Sequence, residues 1–151
     1  VGIMPILIDQ NNLLPLLGAA AERHHYLPVQ VVDSGAFIGL GTVVSVNAAA
    51  SYGDQVLRAK LTYADGTDAR VDVKFGGLEI LPLPSGQTAS LSLQPLNRAD
   101  AGLGSGRSGT VPVTGGALGV VIDARGRALQ LPSDPVRRRE LIKKWYYTVG
   151  G

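Results

Sequence analysis

The chain has 151 residues, of which 45% are apolar, and its 14 Lys and Arg against 12 Asp and Glu give a formal net charge of +2. This length suits one domain with a substantial apolar core, and the lack of Cys excludes disulfides and thiolate metal sites. No apolar run approaches the ~18 residues that a membrane-spanning helix needs. Residues 1–97 hold five Lys and Arg against eight Asp and Glu (−3), and residues 98–151 hold nine against four (+5). This imbalance is too small for a dedicated nucleic-acid-binding surface.

The first residues predict a strand followed by a short helix. Ile3 to Ile8 is an apolar run typical of a buried strand, and Asp9 to Asn12 is a turn sequence whose side chains can bond the local backbone. A helix is expected from about Pro15, a tolerated first-turn proline, to His25, with Pro28 ending it. The chain opens on Val1 without the basic segment of a signal peptide, so we expect it to begin within a longer polypeptide. The lack of Cys suits the reducing cytoplasm, where we expect the protein to be.

The middle of the chain consists of short β-branched runs separated by Gly, Pro, Asn and Asp, which is typical of small β-barrels and sandwiches. The clearest signal is a hairpin, because Leu57–Tyr63 and Ala69–Phe75 both alternate apolar with polar residues around Asp65-Gly66. One face of this ribbon should be buried and the other solvated. The strands predicted here are Val29–Val32, Ile38–Val46, Gln55–Tyr63, Ala69–Phe75, Leu78–Leu81 and Thr88–Leu93.

The last third predicts three more strands and a helix. The strands are expected at Thr110–Val113, Ala117–Ile122 and Ala128–Leu131. Asp134 can cap a helix whose first position is Pro135, and Leu141, Ile142, Trp145 and Val149 recur at spacings of three and four. Trp145 should be the main anchor of this helix. Its basic residues should face water: Arg137, Arg138, Arg139, Lys143 and Lys144.

These elements predict one mainly β domain over residues 1–151. The expected architecture is a small β-barrel or β-sandwich with a short N-terminal helix and a C-terminal amphipathic helix.

The polar cluster with the most chemical potential follows the penultimate predicted strand. Asp123, Arg125 and Arg127 stand on alternate positions, and the two guanidinium groups could bind a phosphate or carboxylate, with Arg107 as a further candidate. A tight turn in which Asp123 caps the backbone and pairs with an Arg explains the same residues without a ligand. The second interpretation is favoured, and both stay open.

The remaining motifs do not indicate catalysis. Gly104 to Gly109 matches the letters of a dinucleotide-binding loop, but a strand sequence follows it where that loop needs a helix. His24 and His25 are adjacent on a predicted helix, where their side chains point about 100° apart and cannot share one metal. Asp33-Ser34-Gly35 lacks a positioned His and is expected to be a turn. We therefore expect no enzyme activity, no metal site and no cofactor.

The C-terminal half resembles a known family. The run Gly115-Gly-Ala-Leu-Gly-Val-Val-Ile-Asp-Ala-Arg-Gly-Arg-Ala-Leu-Gln-Leu-Pro132, followed by an Arg-rich helix with Trp145, is similar to the C-terminal region of the glutamate mutase accessory proteins called MutL. Those proteins belong to the actin-like ATPase superfamily and are unrelated to the mismatch-repair protein of the same name. The resemblance covers about residues 78 to 147, with a weaker one at 31 to 41. Where the family pattern has Arg-Gly-Arg-Pro-Leu, this chain has Arg125-Gly-Arg-Ala-Leu129.

The resemblance implies an appended β domain of a large cytoplasmic bacterial protein whose ATPase portion lies upstream. It assigns no catalytic residue to this chain, because the nucleotide-binding motifs of the family have no counterpart in it. The expected function is that of a non-catalytic accessory domain that contacts upstream domains of the same polypeptide or another protein subunit. The alternative is an anion- or phosphate-binding module that uses Asp123, Arg125 and Arg127.

Overall fold

The computed structural model describes residues 2–126, 128–129 and 131–150. These residues form eight strands and three helices. In chain order they are β1 (Gly2–Ile8), α1 (Leu13–Ala21), α2 (Leu27–Asp33), β2 (Ile38–Ser45), β3 (Gln55–Thr62), β4 (Asp68–Lys74), β5 (Leu78–Leu81), β6 (Thr88–Pro95), β7 (Gly109–Thr114), β8 (Gly119–Asp123) and α3 (Pro135–Thr148). The prediction of a mainly β chain is confirmed.

The strands form two four-stranded sheets. The first sheet has the order β1-β2-β8-β5 and the second has the order β4-β3-β6-β7. All neighbours are antiparallel except β2 and β8, which run parallel. The described strands do not close into a ring, so the structure shows no barrel.

Both sheets contribute to one apolar core. Val44, Val120 and Ile122 come from the first sheet, and Leu61 and Leu91 come from the second, and all five are fully buried. Alternate residues of a strand point to opposite faces, so each of these strands places one set of side chains in the shared core.

One contact joins the two sheets, and one close approach lies within the first sheet. The Thr42 hydroxyl donates to the Thr114 carbonyl at 2.9 Å and accepts from the Thr114 N–H at 3.2 Å, which joins β2 of one sheet to β7 of the other. Gly41 has a φ of +137°, and a Cβ there would collide with the carbonyl oxygen of Gly119. Glycine is therefore required where β2 and β8 approach each other.

The β3–β4 hairpin confirms the alternation in the sequence. Leu57, Leu61 and Val73 are buried, whereas Arg58 and Asp72 are exposed on the opposite face. Gly66 has a φ of +84°, as the predicted Asp-Gly turn requires.

The first helix and its neighbour differ from the prediction. The turn at Asp9 forms as expected, because its carboxylate accepts the N–H groups of Leu13 and Leu14 at 2.8 and 2.7 Å. These bonds cap α1, which begins at Leu13 and ends at Ala21, earlier at both ends than expected. The strand predicted at Val29–Val32 is wrong, since these residues lie in α2. Pro28 occupies the first turn of α2 instead of only ending the helix before it.

The C-terminal helix is confirmed with its predicted cap. The Asp134 carboxylate accepts the N–H of Val136 at 2.9 Å, and Pro135 opens the helix. Trp145 and Leu141 are buried, but Ile142 and Val149 are 47% and 41% exposed. The strand predicted at Ala128–Leu131 is not found: residues 128 and 129 lie in a turn, residue 131 is outside any strand, and residue 130 lies outside the described residues.

Candidate functional site

Asp123 and Arg125 form a bidentate ion pair. Asp123 is the last residue of β8, and its Oδ1 accepts the backbone N–H of Arg125 at 3.0 Å and its Nε–H at 2.9 Å. The other oxygen, Oδ2, accepts from Nη2 at 2.8 Å. The hydrogen bond to Asp123 raises the pKa of Arg125 above its ordinary value, although burial lowers it. This planar match of guanidinium and carboxylate is the strong form of an ion pair.

The same guanidinium lies over the ring of Trp145. The distance from Arg125 Cζ to the ring centroid is 5.1 Å, and Trp145 Nε1 donates to the carbonyl of Gly76 at 3.0 Å. The ring is therefore held by a hydrogen bond and by a cation–π contact. Arg125 thus joins the turn after β8 to α3, a role in the fold that needs no ligand.

The other two predicted ligand-binding residues are placed differently. Arg107 is exposed in the loop before β7, which belongs to the second sheet, whereas Asp123 ends a strand of the first sheet. Arg127 lies outside the described residues. The structure therefore brings together Asp123 and Arg125, and the groove that these two residues line has no contribution from Arg107.

That groove runs along α3 on the outer face of the first sheet, and we call it the α3 groove. Its volume is about 510 Å³. Apart from Asp123 and Arg125, its walls are apolar or aromatic, with Ile6, Val43 and Val121 from the sheet and Ile142, Tyr146 and Val149 from the helix. Such walls offer mainly apolar contact area to a partner.

A second, wider groove of about 850 Å³ crosses the outer face of the second sheet. Its charged side chains are paired: Arg58 with Asp72 at 3.7 Å, and Lys60 and Arg70 with Asp68 at 3.8 and 3.1 Å. These side chains are 27 to 72% exposed. Pairs this accessible contribute little to stability, and the surface is the solvated face that the hairpin sequence predicts.

The connection between β1 and β2 exposes apolar side chains. We define the helical hairpin surface as the exposed apolar residues of α1, α2 and the turn between them: Leu14, Leu16, Tyr26, Val29 and Val32, which are 43 to 81% exposed. The two helices pack mainly on each other. Sequence reasoning missed this surface because it assigned Val29–Val32 to a strand. Val29 and Val32 are three residues apart, a spacing that places both on one side of a helix and could have indicated it.

The remaining predicted polar motifs form turns or lie in solvent. His24 and His25 are exposed between α1 and α2, and Asp33 ends α2, where Ser34 Oγ donates to the Val31 carbonyl at 2.7 Å. Within the described ranges, no three His, Cys, Asp or Glu side chains are grouped so that they could hold a metal ion. No helix in the same ranges is long and apolar enough to cross a membrane.

Comparison of the chain with protein-family models, with curated proteins and with solved structures finds no match. The resemblance over residues 78 to 147 consequently stays a prediction.

Proposed function

We propose that this chain is a non-catalytic accessory domain that attaches to other parts of a larger cytoplasmic protein, related to the bacterial glutamate mutase accessory family. The observation that carries the proposal is the helical hairpin surface, where five large apolar side chains are 43 to 81% exposed. Exposed apolar side chains become favourable contact area when another protein surface covers them.

The energetic argument concerns the water around these side chains. Burying apolar surface is favourable by roughly 25 cal/mol per Å². Leu16 is 67% exposed and Tyr26 is 81% exposed, so each has most of its side chain available for such burial. A contact that covers both helices would therefore hold the domain on a neighbour without any charged group.

The rest of the molecule fits a supporting role. The two sheets share one core, which supports the sandwich alternative of the predicted fold. In the alternative function, anion binding, an anion would compete with Asp123 for the Arg125 guanidinium, which also contacts Trp145. Asp123 already makes a short, charge-assisted pair with Arg125, which favours the structural role.

Hydrogen exchange tests the proposal. The 151-residue chain and the polypeptide that the natural gene encodes, purified from its host, are compared by mass spectrometry. We expect slower exchange of residues 13–33 in the natural polypeptide, and unchanged exchange at the hairpin turn 63–67 as the internal control. Equal exchange of residues 13–33 in both samples would contradict the proposal. Heat released on titration of the isolated chain with inorganic phosphate, and lost in Arg125→Met, would favour the anion-binding alternative.

A further inference from the structure

The outer face of the first sheet carries an apolar row that α3 covers only in part. Met4 pairs with Val43, Val43 with Val121, and Val121 with Ile80, so these four residues cross the sheet side by side. Leu141 and Trp145 of α3 pack on Val121 at the β8 side. At the β1 end of the row, Met4 is 48% exposed.

The uncovered strip is about as wide as a helix. Neighbouring strands lie about 4.8 Å apart, so the four strands occupy close to 19 Å. An α-helix with its side chains is about 10 Å across. Since α3 lies over β5 and β8, the strip over β1 and β2 has room for one more helix beside it.

The side of α3 that faces this strip has an apolar stripe of its own. Ile142 and Tyr146 are four residues apart in α3, and Val149 follows three residues later as its C-cap, so the three residues continue one side of the helix. They are 47%, 61% and 41% exposed and line the α3 groove opposite Ile6 and Val43. Helices that pack side by side use stripes of this kind, at interaxial distances of about 8–10 Å. The groove thus has an apolar sheet floor and an apolar helix wall.

The basic residues next to the stripe favour an acidic binding partner. Helix α3 has five Lys and Arg and a single Glu. At about 100° per residue, Arg139 and Lys143 lie next to Tyr146 on the solvent side of the stripe, although neither lines the groove itself. A partner whose flanking residues are acidic would be attracted there, and a basic one would be repelled.

We propose that the α3 groove binds an acidic amphipathic α-helix of a neighbouring domain or subunit. Its apolar residues, spaced by three and four, would lie on Met4, Val43 and the α3 stripe, and its Asp or Glu residues would face Arg139 and Lys143. This inference rests on the proposed function, because the helix belongs to the protein that the domain serves. It adds a second contact, separate from the helical hairpin surface, and states its chemistry.

Photo-crosslinking in the native host tests this contact. p-Benzoylphenylalanine replaces Ile142 in the natural polypeptide, and the crosslinked peptides are identified by mass spectrometry. The matched control places the same group at Val136, which is on α3 and 64% exposed but does not line the groove. We expect a product from position 142 at about five times the control yield or more, joined to a segment with helical apolar spacing and net negative charge.

A pair of charge reversals tests the electrostatic part. Arg139→Glu with Lys143→Glu should lower the crosslinking yield at position 142 about tenfold, because both residues lie next to the stripe on its solvent side and would face the acidic residues of the partner. Arg137→Glu with Lys144→Glu changes the net charge equally but on the other side of α3, where both residues line a different groove. That control should change the yield less than about twofold.

The outcomes separate this inference from the proposed function. Equal yields from positions 142 and 136, a product that joins two copies of this chain, or a partner segment that is basic or extended would each overturn the inference. The hydrogen-exchange result at residues 13–33 does not depend on the groove. Slower exchange there without a groove-specific crosslink would leave the proposed function standing and remove the helix contact.

Discussion

Replacing Trp145 with Ala should detach α3 from the first sheet. The side chain is 8% exposed and forms one small apolar cluster with Leu78, Val121 and Leu141. Truncation of a buried Trp costs about 3–5 kcal/mol in protein cores. Here the loss is limited to the free energy with which α3 docks, because the helix can separate as a unit once its anchor is gone. We expect the free energy of unfolding to fall by about 3 kcal/mol, at the lower end of that range.

Urea unfolding followed by circular dichroism measures this change, and hydrogen exchange of residues 138–148 shows whether α3 alone is released. Tyr147→Ala is the matched control, because Tyr147 lies on the same helix but is 66% exposed. Its effect should stay within about 0.5 kcal/mol. Trp145→Phe removes the Nε1–H donor of the bond to Gly76 and should cost about 1–2 kcal/mol. A loss below about 1 kcal/mol for Trp145→Ala, with α3 still protected from exchange, would refute the role given to this anchor.

Three further predictions concern single contacts. Arg125→Met should lower stability by about 1–2 kcal/mol, because the Asp123 carboxylate loses the two side-chain hydrogen bonds from Arg125. A red shift of the emission of the single Trp should accompany it. Unchanged stability and emission would argue against the structural role of the contacts among Arg125, Asp123 and Trp145. Gly41→Ala should prevent cooperative unfolding or strongly lower its midpoint, because the new Cβ would collide with the backbone of Gly119. Gly18→Ala, in helix α1 with no atom within 4 Å of the new Cβ, should instead raise stability by up to about 1 kcal/mol. Similar effects of the two changes would contradict the close approach of β2 and β8. Hydrogen bonds from the Thr67 hydroxyl and backbone N–H hold the pKa of Asp65 below its ordinary 3.8. The contribution of these bonds to stability is therefore present above pH 3.8 and is lost as the pH falls through the lowered pKa. The urea midpoints of wild type and Asp65→Asn should differ at pH 7 and converge in strong acid.

Local signals in the sequence were sufficient for the hairpin and for α3. Alternation along β3 and β4, with Gly66 at the turn, fixes which face of the ribbon is buried. Asp134 and Pro135 define the start of α3 by the chemistry of its first turn. Each of these features depends on residues a few positions apart, so no tertiary information was needed.

The error at Val29–Val32 shows the limit of local propensity. Three Val in seven residues favour a strand by side-chain branching, but α2 is helical with Pro28 in its first turn. Packing between α1 and α2 overrides the intrinsic preference of the segment. Pro28 therefore marked a helix boundary in the sequence. Whether it ends one helix or starts the next depended on the fold.

The surroundings of Asp123 and Arg125 could be predicted only in part. Their pairing follows from proximity in a turn, and the sequence analysis favoured it. The contact with Trp145, twenty residues beyond Arg125, and the bond from Trp145 to Gly76 depend on where α3 docks. The parallel pairing of β2 with β8 likewise joins residues 78 positions apart, as Gly41 and Gly119 are. No local pattern specifies such contacts.

The two sets of apolar residues on α3 have separable effects. Leu141 and Trp145 hold the helix on the sheet, so their loss removes the wall of the α3 groove together with the stability of the helix. Ile142 and Val149 are 47% and 41% exposed, so a polar substitution there removes less buried area than the loss of Trp145 or Leu141 and leaves the anchor in place. Gln or Lys at these positions would make the surface of the helix more soluble. The exposed part of the second stripe is the surface that the helix contact proposed above would cover.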